Sequence, residues 1–114
     1  MGELSPSRVE APVRDVFDAY ERKHPGATVD AFRLGDRALK LRVLDPRFES
    51  LSEPERFDAV LDRWLAVDAP RAREDVIGLL ALTPVEAAGD VLNEEFERTL
   101  DAARSRPRDA VSAA

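Results

Sequence analysis

The stretch from Leu39 to Trp64 constrains the fold more than any other part of the chain. It holds a strand, a tight connection and a capped amphipathic helix in unbroken order. Leu39, Leu41 and Val43 alternate with Lys40 and Arg42. That period of two predicts a strand with one packed face and one wetter face. Asp45-Pro46-Arg47 breaks the strand. Ser52 suits an N-cap, and Glu55 three residues on completes a capping box. Phe57, Val60, Leu61, Trp64 and Leu65 then recur at helical spacing. Burying those five side chains is worth about 8–15 kcal/mol gross, less what the unfolded chain already hides. This is half of a small α+β core.

The flanking segments supply the other half. After Pro12, which fits a first helical turn, Val13, Val16, Phe17 and Tyr20 fall on one helical face. His24-Pro25-Gly26 ends that helix. Thr28 to Leu34 reads as a strand joined to Ala38–Leu44 through a two-residue Gly35-Asp36 hairpin loop. Val67 to Glu74 reads as a polar connection. The apolar run Val76–Leu82 predicts a strand placed centrally or covered on both faces. Thr83, Pro84 and Glu86 open a last helix with a second capping box. Its predicted buried stripe is Ala88, Val91, Leu92, Phe96 and Leu100. The expected order is α-β-β-α-β-α. It forms a two-layer α+β sandwich with a three-stranded sheet and the helices on one face. Residues 1–10 read as a loose lead-in, 11–103 as one domain and 104–114 as a frayed tail.

Composition narrows the function classes. A chain of 114 residues suits one domain, able to bury roughly two-thirds of its unfolded surface. It has no cysteine, which excludes disulfides, thiolate nucleophiles and cysteine-held clusters from this chain alone. No apolar run approaches a membrane span. The first residues lack the basic and apolar regions of a secretory signal, so the expected location is cytoplasmic. The net charge of −6 argues against general nucleic-acid binding. The charge is uneven: residues 21–44 carry six basic and three acidic side chains, whereas residues 75–101 carry one basic and seven acidic.

The passage Leu41-Arg42-Val43-Leu44-Asp45-Pro46-Arg47-Phe48-Glu49-Ser50-Leu51-Ser52, followed by Arg56, resembles the BolA-like family. There an apolar strand and short turn precede Arg-Phe-Glu-Gly-Leu-Ser and an Arg-His-Arg triplet. Val76 to Thr83-Pro84 is similar to that family's last strand and helix opening. The resemblance spans roughly residues 11–100. It implies a BolA-like fold, akin to a type II KH fold. It also implies a monothiol glutaredoxin partner, with a shared iron–sulfur cluster ligated by a histidine at the start of the last strand. Some members are linked to transcription through nucleic acid.

This chain departs from the pattern. Counting back from Thr83 places the ligand histidine at Asp75, a poor donor for a thiolate-rich cluster. The resemblance also implies, in many members, a further His or Cys ligand from a long loop between the first two strands. The short Gly35-Asp36 loop offers none, and the triplet reads Arg56-Phe57-Asp58. The resulting expectation is a non-enzymatic protein-interaction or regulatory module without cofactor or metal. Its expected partner is an unidentified protein, with a monothiol glutaredoxin as the second candidate that the resemblance implies. The alternative is a nucleic-acid-binding protein that uses a basic hairpin face. Arg33, Arg37, Lys40, Arg42, Arg47 and Arg56 are the candidate contacts for an acidic partner or a phosphate backbone. A solvated face explains the same residues. A Gly-x-x-Gly clamp and an interleaved aromatic ladder are both missing.

The remaining candidates have plain readings. His24, the single histidine, sits at a helix end where its charge complements the dipole. Glu74 and Asp75 form a carboxylate pair before a strand. Trp64 lies on the apolar stripe. No nucleophile, base and orienting group fall into a set.

Overall fold

The computed structural model describes residues 5–105. Strand β1 is Pro6–Ser7, and helix α1 is Ala11–Lys23. β2 (Thr28–Leu34) and β3 (Ala38–Leu44) form the hairpin, and a 3₁₀ turn occupies Pro46–Ser50. Helix α2 runs through three contiguous segments, Glu53–Phe57, Asp58–Leu65 and Ala66–Asp68. Its middle segment is wound in the wider π register. α3 (Pro70–Asp75), β4 (Val76–Leu82), α4 (Pro84–Ala87) and α5 (Val91–Arg104) complete the chain.

The sheet has four strands in the order β1-β2-β3-β4, not three. Part of the expected lead-in pairs at its edge, with Pro6 opposite Leu34 and Ser7 opposite Arg33. β2 and β3 are antiparallel, and β3 and β4 are parallel. The hairpin connection is three residues rather than two, since Leu34 pairs with Ala38. Gly35 opens it at φ 71°, a conformation that favours glycine. The expected polar connection from Val67 to Glu74 holds the end of α2 and all but the last residue of α3. Of the expected tail, Arg104 is the last residue of α5, and residues 106–114 lie outside the described residues.

The capping boxes form as their residue types predict. The Ser52 hydroxyl accepts from the Glu55 N–H at 3.3 Å, and Glu55 accepts from the Ser52 N–H at 2.8 Å. Thr83 and Glu86 repeat the arrangement at 3.1 and 3.0 Å.

Helices lie on both faces of the sheet, which corrects the expectation that they share one. On the first face α1 and α2 enclose Phe17, Val29, Leu41, Val43, Val60 and Trp64. On the second face α5 covers Phe32 with Phe96, Leu100 and Ala103, packed against Leu34 and Leu80. The reason is local. Gly89 follows the short α4, and Asp90 caps a new helix by accepting from the Asn93 N–H at 2.9 Å. The break changes the helical phase, so Val91 and Leu92 are 70% and 60% exposed while Phe96 and Leu100 are buried. α5 crosses mainly over β1 and β2. β4 is an edge strand, not a central one.

Candidate functional site

Four of the six predicted contact residues are held in internal ion pairs. Arg33 shares the first face with Val29 and Ala31, because side chains alternate along β2. Its side chain is 3% exposed and lies between Glu10 and Asp75, each at 2.7 Å. Burial works to lower the Arg33 pKa, and the hydrogen bonds to Glu10 and Asp75 outweigh it and raise it. Arg42 points to the opposite face. It pairs with Asp30 at 2.8 Å and Glu97 at 2.7 Å, donates to Asn93 at 2.9 Å, and stacks over the Phe96 ring at 4.8 Å. Its Nε is buried with no partner. Arg33 and Arg42 therefore never share a surface.

Arg56 is likewise occupied. It donates to the backbone carbonyls of Leu51 and Ala81, each at 3.0 Å, and grips Glu86 at 2.6 and 3.1 Å. The Arg56 fork, followed by the Thr83 N–H, pulls the Glu86 carboxyl down to about 2. Of the six predicted contacts, Arg37, exposed at the hairpin tip, and Lys40 form no ion pair among the described residues. They sit at different places on the hairpin, one at its tip and one on the second face.

Asp75, the position of the implied cluster ligand, is committed to Arg33. Glu74 adds no metal cage: among the described residues no group of three or more His, Cys, Asp or Glu side chains is placed to hold a metal ion.

Arg47 belongs to a cluster that sequence reasoning passed over as a simple strand break. Asp45 is 1% exposed. It accepts from the Arg47 backbone N–H at 2.9 Å, from Arg47 Nη2 at 2.6 Å and from the Tyr20 hydroxyl at 3.2 Å. Tyr20 stacks on Trp64 at 4.3 Å and on His24 at 4.4 Å. Burial first, then the Asp45 charge, pushes the Tyr20 pKa up to about 12. Burial would raise the Asp45 pKa, yet the Arg47 hydrogen bonds outweigh it and hold the pKa low. Burial and the nearby Arg47 charge lower that of His24. The tyrosine, histidine and carboxylate resemble catalytic parts. The carboxylate, however, spends its acceptor capacity on Arg47 and Tyr20, so no lone pair is aimed at a substrate. The cluster fastens α1 to the turn after β3. The sequence signal was Asp-Pro-x, where the aspartate side chain caps the turn two residues on.

One concave feature lies on the second face where α5 leaves β3 and β4 uncovered. It is a groove of about 260 Å³ whose lining includes Lys40, Gly78, Leu80, Leu92, Glu95 and Phe96. Gly78 carries no side chain, and the Lys40 stem lies across it. A Cβ there would meet Lys40 Cδ at 3.1 Å. No helix among the described residues is long and apolar enough to cross a membrane. Comparisons with protein-family models, with curated proteins and with solved structures each returned no match.

Proposed function

We propose that this chain is a non-enzymatic protein-interaction module on a BolA-like, type II KH-like scaffold, acting without an iron–sulfur cluster. One observation carries the reading. The residue at the implied ligand position, Asp75, braces the fold through Arg33 and is not presented to a cofactor. A carboxylate spent on a nearly buried guanidinium has little affinity left for an iron. The use of Arg33, Arg42, Arg47 and Arg56 as internal braces also weighs against the alternative, a phosphate-binding hairpin face. Mixing the protein with a cluster-loaded monothiol glutaredoxin should leave the visible circular dichroism of the cluster unchanged. A heterocomplex spectrum would overturn the proposal. Retardation of nucleic acid at ~50 mM salt, where electrostatic binding is strongest, would favour the alternative instead.

A further inference from the structure

β4 is an edge strand with little of the usual protection, an irregularity at Ile77 and one carbonyl taken by Arg56. Its seven residues, Val-Ile-Gly-Leu-Leu-Ala-Leu, contain neither proline nor charge. Natural edge strands are normally short, charged, bulged or covered, because an apolar edge templates pairing with another chain. The backbone shows which groups are free. The Leu82 carbonyl accepts from the Asp45 N–H, so it faces β3. Alternation then turns the backbone groups of Ala81 and Leu79 outward. Arg56 takes the Ala81 carbonyl, which leaves the outward edge open around Leu79 among the described residues. Ile77, at the irregularity in the β3–β4 pairing, is 59% exposed beside it.

The groove next to this edge tells which occupant fits. It is lined by one cation, Lys40, and by an exposed carboxylate, Glu95. Neither forms an ion pair within the chain among the described residues. A basic segment laid along the edge would face Lys40 with like charge, and an acidic one would face Glu95. A second copy carries both charges, and a two-fold contact presents each patch to an identical one, in which Lys40 of each protomer has Glu95 of the other as its complement. The net charge of −6 per chain opposes association weakly at physiological salt, where charges separated by more than ~8 Å are largely screened.

We propose that two copies of this chain associate through antiparallel β4–β4 pairing centred near Leu79. The contact makes one continuous sheet, with Leu92 and the Lys40–Glu95 pairs closing over it on the second face. The inference is independent of the interaction-module reading, since a dimer and an adaptor can each exist without the other.

Sedimentation equilibrium of the full chain at physiological salt tests it. A monomer–dimer equilibrium is expected, and each of Lys40→Glu and Glu95→Lys alone should weaken it at least tenfold. Mixing the two variants should restore association, because each then meets the opposite charge. Far-ultraviolet circular dichroism establishes that the variants fold. Hydrogen exchange provides the backbone readout: the Leu79 amide should gain protection as concentration rises. A monomer at every concentration would overturn the proposal. So would a dimer indifferent to both charge reversals, or edge amides whose exchange ignores concentration, as when the edge is already covered by a segment of its own chain or awaits a different partner.

Discussion

Arg33 offers the sharpest test of how this fold holds together. Its guanidinium joins three parts of the chain: Glu10 before α1, β2 itself and Asp75 at the end of α3. Replacing it with methionine retains most of the stem volume, so the cavity contribution is small. The main loss is electrostatic. Removing one partner of a fully buried ion pair costs about 3–5 kcal/mol. Here the two carboxylates that lose Arg33 are 33% and 28% exposed and regain part of their hydration. The expected cost of Arg33→Met is therefore about 2–3 kcal/mol. A chain of 114 residues has a total stability of about 6–17 kcal/mol. The variant should stay folded, with a melting temperature about 8–15 °C lower.

Trp64 supplies the probe. It is the single tryptophan, 8% exposed and stacked on Tyr20. Urea titrations followed by its fluorescence should show a lower midpoint with an unchanged slope. Arg37→Met, at the exposed hairpin tip, is the control and should lie within about 0.5 kcal/mol of the parent. A loss below about 1 kcal/mol for Arg33→Met, or an equal loss for the control, would refute the bracing role.

Asp75→His places the family's ligand type at that position but removes the Arg33 partner. It should lower stability by about 1–2 kcal/mol, and an unchanged or higher urea midpoint would contradict this. Glu86 has a folded pKa of about 2 against an ordinary 4.5. Its stabilisation is complete above the unfolded value and is lost as pH falls toward 2. Glu86→Gln should flatten that part of the acid-stability profile, and superimposable profiles would disprove it. Tyr20 is the only tyrosine, and its pKa is raised from 10.0 to about 12. Its contribution is present below pH 10 and lost as pH rises toward 12. The phenolate absorbance of the folded protein should rise near the higher value and shift down in urea. A folded-state midpoint at 10 would remove the case for the buried Tyr20–Asp45 contact.

Local chemistry was legible in the sequence, and long-range pairing was not. Both capping boxes, the hairpin and the period-two core strand follow from residue types a few positions apart. The failures begin with one residue of loop length. A two-residue Gly35-Asp36 loop sets Asp30 opposite Leu41. The observed three-residue connection sets it opposite Arg42, and the ion pair appears. With that pair in register, a buried second face was foreseeable, since Phe32, Leu34 and Leu80 lie on it too. Gly89-Asp90 carried the other overlooked signal, a breaker followed by a cap in the middle of an expected helix. What no spacing discloses is that Glu10 and Asp75 converge on Arg33, from 23 and 42 residues away.

Arginine usage connects these observations. The chain carries 15 arginines and 2 lysines. The folded chain uses arginine as an internal brace. Arg33, Arg42 and Arg56 each join elements distant in sequence, and a planar fork does this where an ammonium makes a single point contact. Short elements such as α3 and α4 bury little apolar surface of their own, so ion pairs at their ends replace part of that missing contact. Once these guanidinium groups are engaged in this way, they are no longer available to meet another molecule. The cation and the carboxylate beside the open β4 edge, Lys40 and Glu95, are the two whose positions point to a partner.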